Sequence, residues 1–382
     1  MLKYKLCGCS SGVEHNLAKV GVEGSNPFTR SRNKMIYINY KKYFSAFVVS
    51  FILIFLLANC SNKFISKDSI TTLMEEKEII LQKKILIKEM ADSTRILHNI
   101  SWPILKKNKD LCKSSNYFSY GIIFATANDI AAKELFLYKE LFNNNVKNDY
   151  FKAYKTDSFP IIISVASDSP AKKAELKERD IVLEINKRNT RNFRKKLSHE
   201  LFSENFLEIK ILRKDKILIK KINGIKICNY NIQPLPAAMP NAFADGKKVF
   251  VTLGAIKLAN AVDELAFLIG HELAHNIFHF KSAGSNEAHT QSIKYDDKPK
   301  IRELKSILVY SNQEREIEAD IKGLELAYNG GFDLNNVNDY WRRLSVFYPE
   351  LITKASLYYK GNAFRASLIT ETLKKIKERN NK

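Results

Sequence analysis

The chain has 382 residues, room for two domains beside any targeting segments, and a hydrophobic content of 45% that allows a proper core. Sixty-two Lys and Arg against 41 Asp and Glu give a formal charge of +21, a balance that suits an anionic membrane surface or nucleic acid. The lysines are scattered, often beside Asn and Ile, and no nucleic-acid-binding motif is present. Compositional bias is therefore the first explanation of the charge and membrane attraction the second, and no nucleic acid partner is expected.

Residues 1–34 show no periodicity and resemble the peptide that results when a tRNA gene is translated. They are expected to be an extension ahead of a start at Met35, with no role for Cys7, Cys9 or His15. The rival reading of this stretch is a small metal site. Residues 35–59 read as a signal segment: Lys41 and Lys42, then an apolar run from Phe44 to Ala58, short for a membrane span. The run ends in Leu56-Leu57-Ala58-Asn59-Cys60, which resembles a bacterial lipobox, although Asn59 stands where a small residue is usual. Acylation of Cys60 would hold the chain on the periplasmic side of a bacterial membrane. An uncleaved amino-terminal anchor is the alternative. Residues 60–72 are a polar tether.

Residues 73–112 carry apolar residues at helical spacing, with Pro103 expected to interrupt the helix. Residues 113–223 alternate short strands and short helices. Pro160–Val165 and Ile181–Ile185 read as strands, and Phe193–Phe206 as a helix. Leu207–Arg213 and Ile217–Ile222 read as a hairpin around Lys214-Asp215. Ser169-Pro170-Ala171 and Asp180-Ile181-Val182 resemble a PDZ domain of bacterial proteases, with Glu175 and Arg179 where glycines are usual. That resemblance implies capture of extended peptides by strand addition, with Tyr120-Gly121-Ile122 as the carboxylate-binding loop. A plain α+β insertion is the alternative. Cys112 and Cys228 bracket the region, either bonded or as two buried thiols.

In residues 224–382, Asn231–Pro240 reads as a connector, and Asn241–Phe243 and Val249–Val251 as strands ahead of a helix. That helix carries His271-Glu272-Leu273-Ala274-His275 on a periodic frame of Leu265, Leu268, Ile269, Leu273 and Ile277. Residues four apart share a helix face, so both imidazoles reach one ion and Glu272 stands beside them as general base. Two neutral histidines plus a carboxylate suit one Zn2+ and leave a position open for water. The third ligand is expected on a second helix, Ser311–Ala327, at Glu316. Asp320, one turn on, would bond the far nitrogen of a ligand histidine. Glu314 and Glu318 compete for Glu316's place by composition, and His279 and His289 are read as bystanders.

His271–His275 followed by Glu316-Ile-Glu-Ala-Asp320 resembles the HtpX and CAAX prenyl protease family of gluzincin metallopeptidases. Pro240–Ala244, Val249–Gly254 and Asp263–Ala266 match that family's approach to the metal helix. The resemblance implies zinc on His271, His275 and Glu316, catalysis by Glu272 and an orienting role for Asp320. It implies an α+β fold: a mainly helical zincin-type protease domain with a small sheet, plus an inserted PDZ-like β-rich domain. Many members carry a His-Pro pair before a late arginine; here Gly361-Asn362-Ala363-Phe364-Arg365 has no histidine, and Arg365 keeps the structural part. An edge strand at Asn241, Ala242 and Phe243 would hold substrate backbone. Tyr310, by proximity to Glu316, is the candidate for stabilising the oxyanion. The expected function is a membrane-anchored zinc metalloendopeptidase acting on misfolded or misassembled envelope proteins. The alternative is a non-enzymatic envelope chaperone or peptide-binding adaptor with structural zinc.

Overall fold

The computed structural model describes residues 72–112, 118–126, 137, 159–191, 204–280, 312–355 and 360–380. The expected extension, signal segment, Cys60, residues 193–203 of the expected helix, His289 and Tyr310 lie outside these residues. Among the described residues, no helix is long and apolar enough to cross a membrane. The architecture is α+β, with helices and largely antiparallel sheets.

Helix α1 (Thr72–Lys107) is the spine. Its first half lays Ile87, Met90 and Ala91 on Ile161, Ile163, Ile181 and Leu183 of the larger sheet. Its second half buries Leu97, Ile100, Trp102, Ile104 and Leu105 in a second core that surrounds the metal-helix region. The helix runs through Pro103, contrary to the expected interruption. A proline removes one amide donor and crowds the preceding turn, but Trp102, Ile104 and Leu105 are each at most 6% exposed. Their burial outweighs that local cost.

β1 (Phe118–Ser119) lies outside the larger sheet, which is built from β2 (Ile122–Ala125), β3 (Ile161–Val165), β4 (Ile181–Ile185), β5 (Arg188–Asn189), β6 (Phe206–Arg213) and β7 (Lys216–Asn223). The order is β2-β3-β4-β6-β7, with β5 paired to β4. The short helix α2 (Pro170–Lys173) is capped by Ser169, whose hydroxyl accepts from the Lys172 amide. The hairpin turn at Lys214-Asp215 has both φ values positive, 46° and 64°, the conformation that matches strand twist. Glu175 and Arg179 are also left-handed, with φ of 60° and 70°. The backbone thus adopts at both positions a conformation that glycine takes more readily. Arg213 braces this turn, donating to both Asp180 oxygens and to the Glu175 carbonyl.

β1 pairs with β8 (Ile225–Lys226), and the chain then enters a three-stranded sheet. β9 (Asn231–Leu235) runs parallel to β11 (Lys248–Thr252), and β10 (Ala242–Ala244) runs antiparallel to β11 on its other side. The expected connector over 231–240 therefore contains a strand. Pro234 is tolerated because β9 is an edge of this sheet, where a missing amide donor leaves no internal rung unmade. Cys112 and Cys228 are disulfide-bonded, with Cα atoms 5.5 Å apart.

Helices α3 (Leu253–Leu258), α4 (Val262–Ala274), α5 (Gln313–Asn329), α6 (Val337–Phe347) and α7 (Asn362–Asn380) complete the second core. Asn312 caps α5 by accepting from the Arg315 amide at 2.8 Å. Glu264, 1% exposed at the start of α4, is held by Arg343 from α6 and by the Asn260 amide.

Candidate metal centre

Helices α4 and α5 cross at a pair of glycines. A Cβ on Gly270 would stand 2.4 Å from the Gly323 carbonyl oxygen, and one on Gly323 would stand 2.6 Å from the His271 amide nitrogen. Backbone therefore lies on backbone, and the carboxylates of α5 reach the imidazoles of α4. Below the crossing, residues 275–279 widen into a π turn, closed by the Phe280 amide on the His275 carbonyl at 3.2 Å. Such turns recur at functional sites.

The structure brings His271, His275 and Glu316 together, with one ligand atom from each within 4.8 Å of the others. The two Nε2 atoms are 3.2 Å apart. Glu316 reaches His271 Nε2 with Oε2 at 3.3 Å and His275 Nε2 with Oε1 at 3.4 Å. A tetrahedral ion with ligands at about 2.0–2.1 Å requires neighbouring donor atoms roughly 3.3 Å apart. The two histidine nitrogens thus have the spacing of tetrahedral neighbours, each faces its own Glu316 oxygen, and the donor set fits such a metal in chemistry. The charge fits as well. Glu272, Glu316 and Asp320 against Arg365 leave two negative charges when both histidines are neutral, and a dication balances them.

Asp320, 1% exposed, is the hub behind this cluster. Its Oδ1 meets His271 Nδ1 at 2.9 Å. Arg365 of α7 grips the same carboxylate with Nε and Nη2 at 2.8 and 2.6 Å. The guanidinium lies over the Trp341 ring, 4.0 Å from its centroid. Burial would raise the Asp320 carboxyl, but Arg365 and His271 hold it below its ordinary value. Burial would likewise raise Glu316, yet its two histidine partners hold it well below the carboxylate range. For His271 burial pulls downward, and hydrogen bonds to Asp320 and Glu316 outweigh it, bringing the imidazole up to about 10. Burial pushes the half-buried Glu272 up.

Of the other acids on α5, Glu314 is exposed, while Glu318 meets His279 Nε2 at 3.1 Å. His279 in turn places Nδ1 2.9 Å from His275 Nδ1. Reading His279 as a bystander overlooked this contact. The four-residue step from His275 to His279 was its only signal. Asn241, Ala242 and Phe243 lie at and just ahead of β10, the edge strand of the small sheet, which packs on α4. Asn276, fully buried beside His275, fixes that strand's turn. It accepts from the Gly246 amide at 2.7 Å and donates to the Lys248 carbonyl at 3.0 Å.

The sequence model of Peptidase family M48 matches residues 224–279, a span that runs from β8 through the metal helix and stops short of Glu316, Asp320 and Arg365. No curated protein matches the chain. The match supports a metallopeptidase, a metal-dependent class, and the three clustered side chains could hold a metal ion.

Proposed function

We propose that the chain is a zinc-dependent metalloendopeptidase with a zincin-type core. His271, His275 and Glu316 hold one Zn2+, Asp320 orients His271, and Glu272 is the catalytic base. The observation that carries the reading is the convergence of His271, His275 and Glu316, with one ligand atom from each within 4.8 Å of the others and the two Nε2 atoms 3.2 Å apart. A zinc ion held by these residues would supply Lewis-acid chemistry and lower the pKa of a bound water toward neutral. Glu272 removes a proton from the attacking water and delivers it to the leaving amine. Its raised affinity for a proton favours the first half of that task, taking the proton from water. Among the described residues β10 is an edge of the small sheet, so an extended substrate would add along Asn241, Ala242 and Phe243 as a further strand.

The larger sheet is the PDZ-like region, a second site for extended polypeptide. The chain is lipid-anchored through Cys60 on the periplasmic side of a bacterial membrane and acts in quality control of envelope proteins. The Cys112–Cys228 disulfide supports an oxidising compartment of this kind.

The test is zinc content and casein cleavage by the full chain beside Glu272→Gln. One zinc per chain in both, with cleavage lost in the variant, is expected. Zinc in both with cleavage by neither would favour the chaperone or adaptor reading. No zinc in the unaltered chain would overturn the ligand set.

A further inference from the structure

We infer that His279 and Glu318 form a second orienting chain of the metal centre, which fixes His275 as Asp320 and Arg365 fix His271. The inference rests on the reading of His271, His275 and Glu316 as metal ligands and extends it to two residues outside that set.

The proton positions follow from the contacts. His275 turns Nε2 toward His271 Nε2 and Glu316, so that nitrogen carries the lone pair that a metal takes. Its Nδ1 then carries the hydrogen. The atom 2.9 Å away is His279 Nδ1, which must accept. His279 therefore bears its hydrogen on Nε2, which faces Glu318 Oε2 at 3.1 Å, and a carboxylate oxygen accepts it. One arrangement of hydrogens satisfies all three contacts, with His279 neutral. Both ring nitrogens of His279 are thereby engaged, so it orients the centre without entering it.

The local fold explains how His279 arrives there. The wider π turn over 275–279 sets the His275 and His279 rings 5.0 Å apart between centroids and 62° apart in plane. The His279 side chain is only 6% exposed, and Glu318 comes from the flank of α5, 52% exposed. Helix α5 thus serves both ligand histidines: Asp320 on one, Glu318 through His279 on the other. A metal-bound histidine ordinarily gives its second ring N–H to a carboxylate, carbonyl or water, and loss of that partner weakens metal binding about 10–100-fold; here the His279 ring, backed by Glu318, takes the place.

The experiment measures the Zn2+ dissociation constant of the full chain by competition with a chromophoric chelator, and the absorption spectrum after Co2+ loading. His279→Ala is expected to bind Zn2+ about 10–100-fold more weakly and to shift the Co2+ bands. His279→Gln, whose amide both accepts and donates, should recover much of the affinity; a purely space-filling role predicts no such recovery. Glu318→Ala changes an exposed side chain and should weaken binding in the same direction. The double variant should be no weaker than His279→Ala alone. Unchanged affinity and spectrum in Glu318→Ala, or strictly additive losses in the double variant, would overturn the inference, even if His279→Ala fails to fold. An unaltered chain that binds no Zn2+ would overturn the metal-site reading itself.

Discussion

Replacing Gly323 with alanine tests whether the glycine crossing sets the ligand geometry. The new methyl would stand 2.6 Å from the His271 amide nitrogen and 2.7 Å from its Cα. Ordinary carbon contacts begin at about 3.5 Å, so α5 must retreat or twist by nearly 1 Å. The obstructing atoms are helix backbone and cannot rotate aside. A retreat of that size stretches the Glu316 contacts from 3.3 and 3.4 Å to beyond 4 Å, by the same order-of-magnitude reckoning. It also carries the 2.9 Å His271–Asp320 bond past hydrogen-bond range. Overpacking of this kind destabilises by about 1–3 kcal/mol, and disturbed support of a ligand lowers metal affinity about 10–100-fold. The assay is chelator competition for Zn2+ together with thermal unfolding. Gly331→Ala is the control: its φ of +93° makes alanine strained, but no atom lies within 4 Å of the added methyl. It should lose stability and keep its zinc affinity. Wild-type zinc affinity in Gly323→Ala would refute the argument that the helix crossing sets the site.

Asp320→Asn leaves the Arg365 guanidinium buried without its carboxylate, and unfolding free energy should fall by about 3–5 kcal/mol in denaturant titration, with weaker zinc binding. Because His271 without metal holds its proton up to about 10, zinc entering at pH 7 must displace that proton. Apparent affinity should therefore fall as pH falls, and calorimetry in buffers of different ionisation enthalpy should show proton release; equal heats in all buffers would contradict this. Cys112→Ser opens a crosslink spanning 116 residues and should remove about 4–5 kcal/mol of stability, read from unfolding with and without reductant.

The metal helix and α5 were legible in the sequence because the chemistry sits on regular periodicity. His271 and His275 share one face of an apolar-periodic helix, and Glu316 and Asp320 share one face of another. The hairpin at Lys214-Asp215 was legible because strand alternation flanks a turn-forming pair. What stayed hidden depends on distant contacts. Pro103 reads as a stop, and only the buried surface of its neighbours keeps α1 continuous. Pro234 reads as a connector, and only its place at a sheet edge permits a strand. Gly270 sits within the apolar-periodic helix, and the reason for a glycine there appears only with Gly323 across from it. His279 is marked in the sequence only by its four-residue step from His275, and its contacts appear only when the π turn and Glu318 are seen together.

The disulfide closes a covalent ring. The chain leaves the second core at Cys112, builds the six-stranded sheet, and returns at Cys228. A cut at any bond between those cysteines leaves two pieces still joined through sulfur, one bearing α1 and the other every candidate metal ligand. Such a nicked chain should migrate as a single band without reductant and as two fragments with it. Damage confined to the larger sheet would therefore leave the half with the candidate metal ligands attached to α1.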